Sequence, residues 1–338
     1  MRYVLCLLFF SFTCSSQVFI PAKLLENANK KYREDSFASR VESYAYISFV
    51  INKEGKATDI VVLNKSDFRD ISGVAKQWLK NLTYQPARIY DKPINSEQRL
   101  LWRYDKALSS GSNDGISPRF AQSYEKTKSL VKDNAVKAEH ELNNVKQATK
   151  NLTEQAFYAF ISSFVYAQAK DWPRYGEHVF DAWMLKDFLD NHSAYTATKN
   201  LFDYALYKQD HRLALEVANS FKTLSGIEIS AQVYQSYYDS VQQSIEQHKE
   251  ITKRYSISEE SPAYHAITRR EVQLETVSDN VEAQLRCKNH VENVSITEML
   301  LIPSTAIDCR LLIRATEDTE LTIVESGAVH IKLGEILD

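Results

Sequence analysis

The period of the apolar residues changes twice along this chain, and that succession constrains its fold more than any other feature. Over residues 41–52 the pattern alternates, with Tyr44, Tyr46, Ser48 and Val50 on one side and Ala45, Ile47, Phe49 and Ile51 on the other, as in a strand. Lys53-Glu54-Gly55-Lys56 reads as a hairpin turn and residues 57–63 as the returning strand. Ile71, Val74, Ala75, Trp78 and Leu82 then recur at spacings of three and four, which predicts a helix over 70–82, and residues 99–104 read as a last strand. A polar helix is expected ahead of these, over 21–33, with Leu24, Leu25 and Ala28 on one face. The order helix, strand, strand, helix, strand is that of a small α+β unit.

Residues 106–118, rich in Ser, Gly, Asn and Asp, read as a linker. Residues 119–152 are charged and free of Gly, with no Pro, and are expected to form one or two long helices. From 153 to about 255 the period stays helical and repeats: Phe157, Phe160, Ile161 and Phe164 lead to a break at Lys170-Asp171, and Leu201, Phe202, Ala205 and Leu206 to a similar break at Gln209-Asp210. The two Asp breaks are 39 residues apart, a helix-hairpin period. Over 262–338 the pattern turns to short β runs punctuated by Pro303, Glu317-Asp318 and Gly327, the mark of a small antiparallel β domain. The expected fold class is therefore α+β and multidomain, with a central α-helical repeat-like region.

Composition excludes several functions. A length of 338 residues accommodates two or three domains, and a net charge of −3 supplies no basic field for a nucleic-acid backbone or an anionic membrane. With 8 glycines, phosphate chemistry built on glycine-rich loops is not expected. The 7 prolines leave no material for a rigid polyproline spacer.

Residues 1–16 read as a secretory signal: Arg2, then an apolar run over 4–12 broken only by Ser11, then Thr13, Cys14, Ser15 and Ser16. A run of about nine residues falls short of the roughly twenty that a membrane-spanning helix needs. Cleavage after Ser15 or Ser16 is the expected processing, with lipidation at Cys14 as the alternative. Contact with a membrane is expected only if the chain is lipidated there or remains uncleaved. Of the 4 cysteines, Cys6 and Cys14 fall in the signal, leaving Cys287 and Cys309 as an even pair in an oxidising compartment. A disulfide between them is expected. A metal site is not, since neither has further ligands at short spacing.

One contiguous stretch carries a resemblance. Phe49-Val50-Ile51-Asn52 is followed by Glu54-Gly55-Lys56, then by Thr58-Asp59-Ile60-Val61-Val62-Leu63 and Ser66. After the helix come Tyr84-Gln85-Pro86-Ala87-Arg88 and Asp91-Lys92-Pro93-Ile94. This series, over about a quarter of the chain, resembles the C-terminal domain of the TonB energy-transducer family: an apolar strand, an acidic-Gly turn, a strand close to V-T-D-V-x-V, then W-x-Y-x-P-A and D-G-K-P-V. It departs from the family pattern at Arg33 (Pro there), Ser43 (Gly) and Leu82 (Trp, with Trp78 one helical turn earlier). The resemblance implies a TonB C-terminal-like domain over 17–105. It also implies that the last strand, Arg99, Leu100, Leu101, Trp102, Arg103 and Tyr104, offers a sheet edge to an extended peptide of an outer-membrane or other envelope protein. Tyr84, Pro86, Ala87 and Arg88 are the family-motif residues. The helical hairpins resemble tetratricopeptide-type repeats at the level of fold and offer a second surface for a peptide or protein.

No catalytic signature is present: the chain lacks a Gly-x-Ser-x-Gly elbow and a Walker-type loop, and its 8 histidines are scattered. No catalytic residue, metal or cofactor is expected. The functional expectation is a non-catalytic periplasmic binding or scaffold protein linked to TonB-dependent transport or the cell envelope. The alternatives are an atypical TonB-family transducer, anchored by an uncleaved N-terminus and acting in transport, and an enzyme with an unrecognised site.

Overall fold

The N-terminal unit is β1 (Phe19–Ile20), β2 (Lys23–Leu24), β3 (Ser43–Ile51), β4 (Ala57–Lys65), α1 (Ser72–Lys80), β5 (Tyr84–Gln85), β6 (Arg88–Ile89), β7 (Lys92–Pro93) and β8 (Ser96–Tyr104). The structure, a computed structural model, describes residues 19–25, 42–104, 115–276, 278 and 280–331. The expected signal with Cys14, residues 26–33 of the expected first helix and most of the expected linker lie outside the described residues.

The alternation of β3 sets this unit. β3 is the middle strand of a three-stranded antiparallel sheet in the order β4-β3-β8. Ala45, Ile47, Phe49 and Ile51 point to one face and are buried under α1 against Ile71, Ala75, Leu79 and Leu82. Each fully buried Ile or Leu there contributes about 1.5–3 kcal/mol. Where a helix was expected from residue 21, Lys23–Leu24 is instead a strand paired with Tyr84–Gln85, and Leu25 N–H donates to the Thr83 carbonyl at 3.1 Å. An apolar stripe of three residues gives a helix little to bury, and backbone pairing with the 83–85 segment outcompetes it.

Seven helices follow: α2 (Pro118–Asp133), α3 (Ala135–Ala148), α4 (Leu152–Ala169), α5 (Trp172–Met184), α6 (Asn191–Tyr207), α7 (His211–Ser220) and α8 (Ala231–Gln247). Each begins on a Ser, Asn or Asp whose side chain accepts a hydrogen bond from the first turn: Ser117, Asn134, Asn151, Asp171, Asp190, Asp210 and Ser230. The 39-residue repeat is a repeated turn. Lys170 and Gln209 both take left-handed backbones, with φ of 59° and 53°. The next N–H, of Asp171 or Asp210, closes onto Tyr166 or Ala205 at 2.9 and 2.8 Å, and its side chain then caps the following helix.

The chain ends in β9 (Ile251–Ile257), β10 (Ala263–Ala266), β11 (Arg269–Thr276), β12 (Val281–Cys287), β13 (His290–Val294), β14 (Leu300–Leu301), β15 (Arg310–Ala315) and β16 (Thr319–Val329). They form two four-stranded antiparallel sheets, β10-β15-β12-β13 and β14-β11-β16-β9, around a shared core that includes Val272, Leu285, Ile313 and Ile323. β9 falls where a helical pattern was expected: Ile251, Lys253, Tyr255 and Ile257 alternate with exposed residues, a period of two. Cys287 and Cys309 are joined by a disulfide that ties the end of β12 to the entry of β15. Closing a loop of that length contributes about 3 kcal/mol. The architecture is thus mixed α+β, with antiparallel sheets at both ends of a helical middle. No helix among the described residues is long and apolar enough to cross a membrane.

Candidate functional site

β8 is an outer strand. β3 is hydrogen-bonded along one edge, and among the described residues no strand is hydrogen-bonded to the other. Its side chains alternate between two interiors. Leu100, Trp102 and Tyr104 pack in the core beneath α1, with Trp102 6.2 Å from the ring of Trp78. Leu101 joins Tyr44, Leu152 and Leu185 on the opposite face. Arg103 is exposed, lies 5.4 Å over the Phe188 ring and pairs with Asp187 at 3.4 Å. The six expected binding residues therefore have their side chains largely committed within the chain, and β12 and β13 also lie against β8.

Arg99 enters a junction where all three parts of the chain meet. Its guanidinium donates to both Glu216 oxygens on α7 at 3.1 Å, to Asp308 at 3.3 Å and to the Tyr46 hydroxyl at 3.2 Å. Arg310 on β15 bonds the same two carboxylates, and Arg212 on α7 reaches Asp308 at 2.9 Å. Burial pushes the Glu216 carboxyl up, but Arg99 and Arg310 outweigh it and hold it below the ordinary carboxylate range. Asp308 is held well below that range: burial opposes ionisation, and Arg310, Arg212, Arg99 and Lys288 overcome it. Beside this network Glu97 accepts from the hydroxyls of Ser48 at 2.6 Å and Tyr264 at 2.5 Å. Arg286, fully buried, reaches from β12 to Ser48 at 3.0 Å and to Asp59.

The family-motif residues meet one another in space. Tyr84 N–H donates to the Gly55 carbonyl at 2.9 Å, and the Tyr84 ring packs 5.9 Å from Phe49. Ala87 is fully buried and its carbonyl accepts from Ile94 N–H at 2.9 Å. Pro86 is half-buried beside this turn, and Arg88 lies in β6 opposite Ile20 and Pro93. The Glu54-Gly55 turn and the Tyr84-x-Pro86-Ala87 segment form one contact, which gives a physical reason for the two motifs to occur together.

The sheet-facing side of the helical repeats is covered by the chain itself. Tyr46 packs on Phe180 with ring centroids 6.2 Å apart, and Ser66 donates to Gln155 at 2.8 Å. Asn64 donates to Asp181 on α5 at 2.8 Å. Burial pushes Asp181 up to about 7 despite the hydrogen bonds from Asn64 and Tyr44, with Asp67 and Glu177 adding to the shift. The unfolded carboxyl ionises near pH ~4, so this site withdraws stability as pH rises from about 4 through 7. Asp181→Asn keeps an acceptor for Asn64. It is expected to raise stability by about 2 kcal/mol at pH 7.5 and by almost nothing at pH ~4. Thermal melts at the two pH values check this, and an equal gain at both contradicts it.

Two adjoining clefts open at the junction. One, of ≈ 400 Å³, is lined by Tyr46, Arg99, Phe180, Trp183, Tyr264 and Arg310 among others. The other, of ≈ 590 Å³, lies against the α6–α7 turn and β9, lined by Tyr204, Tyr207, Lys208, Asp210, Lys253 and Tyr255 among others. Among the described residues no group of three His, Cys, Asp or Glu side chains could hold a metal ion. Sequence reasoning missed Glu216, Asp308, Arg310 and Arg286. A signal was present for three of them: Glu216 interrupts Leu213-Ala214-Leu215 and Val217-Ala218, Arg286 interrupts Leu285 and Cys287, and Arg310 begins an apolar strand. Comparison with protein families, with curated proteins and with solved structures finds no match for the chain.

Proposed function

We propose that this chain is a non-catalytic binding or scaffold protein of the bacterial envelope that takes an extended segment of an envelope or outer-membrane protein along the outer edge of β8. The observation that carries the reading is the position of β8 as an outer strand of its sheet, hydrogen-bonded among the described residues to β3 alone. Strand addition draws affinity from backbone groups, so it is compatible with β8 side chains that are already packed. The order strand, strand, helix, strand with the acidic-Gly turn seated on the Tyr-x-Pro-Ala segment supports the TonB C-terminal-like reading of this unit. An exported location is supported by the disulfide and by the apolar run over 4–12.

Photo-crosslinking in cells tests it. A crosslinking side chain at Arg103, which is exposed on β8, is expected to capture an envelope protein through an extended segment of that partner. The same group at Lys137, exposed on α3, is the control. Equal capture at both positions, or capture only at Lys137, rejects the β8 edge as the binding site.

A further inference from the structure

Large exposed aromatic side chains are concentrated beside one cleft. Trp172, the first residue of α5, is 45% exposed and Tyr207, the last of α6, is 69% exposed. Their ring centroids are 6.3 Å apart, and Tyr204 stands 6.4 Å from Tyr207 with its hydroxyl donating to the Trp172 carbonyl at 3.2 Å. Gly176 makes this arrangement possible, because a Cβ there would overlap the Tyr204 ring. The three rings form a braced platform at the tips of the two repeated hairpins, away from the face that the chain's own sheet covers. Exposed aromatic area of this kind costs solvation and marks a recognition surface.

The platform runs directly into the cleft of ≈ 590 Å³, whose lining includes Tyr204 and Tyr207. Lys208 and Lys253 also line it, against the single carboxylate of Asp210, which is occupied in capping α7, while Arg254 falls on the opposite, exposed face of β9. Neither lysine forms a salt bridge among the described residues, and Asp210 opposes the lowering that burial imposes on Lys253. A local excess of cations on a chain of net charge −3 favours an anionic occupant. Hydrogen-bonding groups complete the lining. Gln209 is present, and Tyr255 has its hydroxyl fixed by His265 Nδ1 at 2.9 Å while His265 Nε2 meets Glu325 at 2.8 Å.

We propose that this cleft binds an acidic oligosaccharide, with sugar rings stacked on Trp172 and Tyr207 and the sugar carboxylate held by Lys208 and Lys253. Exposed aromatic ring faces, tilted 47° to one another at Trp172 and Tyr207, beside a cationic cleft match pyranose rings that carry a carboxylate. A proline-rich peptide fits less well. Seating a ring between two aromatics needs about 7 Å, twice the van der Waals contact of about 3.5 Å, and the Trp172 and Tyr207 centroids are 6.3 Å apart. The site is separate from the β8 edge, so its failure leaves the strand-addition reading standing.

Calorimetric titration of the full chain tests it with three probes: oligogalacturonate as the acidic sugar, a chito-oligosaccharide as the neutral one, and a polyproline peptide. Oligogalacturonate is expected to bind and to weaken about tenfold in Trp172→Ala and again in Tyr207→Ala, the loss of one stacking platform each. Both rings are exposed, so the melting temperature should hold. Lys208→Gln, also at an exposed position, is expected to weaken acidic-sugar binding, as is raising the salt from 0.05 to 0.5 M. No saccharide binding overturns the proposal, as does binding that none of the three substitutions changes. Equal affinity for the neutral sugar overturns the acidic assignment, and binding of polyproline alone replaces the sugar with a peptide.

Discussion

Gly55→Ala is expected to destabilise the N-terminal unit by about 3 kcal/mol or more, far beyond an ordinary surface substitution. Two independent terms add. Gly55 has φ of 76°, a left-handed backbone that costs a residue with a Cβ roughly 1–2 kcal/mol. A Cβ there would also overlap the carbonyl oxygen of Tyr84, and that oxygen belongs to backbone that cannot swing aside like a side-chain tip. The clash falls on the contact where Tyr84 N–H donates to Gly55, so relief of the overlap breaks a hydrogen bond and withdraws the Tyr84 ring from Phe49. Gly73→Ala is the matched control: nothing lies within 4 Å of its added Cβ, φ is not left-handed, and it sits in α1. That change is expected to be neutral or stabilising by up to about 1 kcal/mol. Chemical denaturation of both variants decides the matter, and two similar midpoints would refute the account of the Gly55–Tyr84 contact.

Arg310→Met is expected to cost about 3–5 kcal/mol at neutral pH, a large share of a typical folding free energy of about 5–15 kcal/mol. Arg310 is 3% exposed and bonds Glu216 and Asp308 together. Methionine fills much of the volume but strands two carboxylates with only Arg99, Arg212 and the rim residue Lys288 to compensate them. Protonation relieves that defect. The depressed carboxyls of the native protein contribute stability above the unfolded carboxylate range, near pH ~4, and lose it as pH falls through their folded values. In Arg310→Met the two carboxyls ionise less readily, so the gap between variant and native protein should be widest near pH 7 and narrow towards pH ~4. A gap that stays constant over that range would assign the loss to packing rather than charge. The double variant Arg310→Met with Glu216→Gln should cost less than the sum of the single ones, since the two residues form one network.

Local chemistry was legible in the sequence where it acts over a few residues. The alternation of Tyr44 to Ile51 named both faces of the central strand, and the strand, strand, helix, strand order followed from period alone. Asp171 and Asp210 announced the two hairpin turns because an Asp side chain caps the helix that starts there. The pairing of Cys287 with Cys309 was readable because two cysteines remained for one bond. The segment at Lys23–Leu24 was misread as helical, since its strand partner lies some sixty residues away and leaves no local mark.

The last strand over 99–104 was read from its pattern, but the ion partners of Arg99 were not legible there. Which apolar face meets which other unit depends on packing between surfaces that are each locally satisfied. Arg99 and Glu216 are 117 residues apart, Arg310 and Glu216 are 94 apart, and Arg286 and Ser48 are 238 apart. A lone arginine in a strand says that a partner must exist, because a buried charge is costly without one, but it does not say where. The sequence by itself determined the elements, their caps and their periods, since these rest on hydrogen bonds and side-chain spacing within a few turns of chain. Only the tertiary structure decided that the sheet, the helices and the sandwich close on one ion network and leave a braced aromatic platform exposed. Coulomb attraction and packing act through space, and distance along the chain carries no record of them.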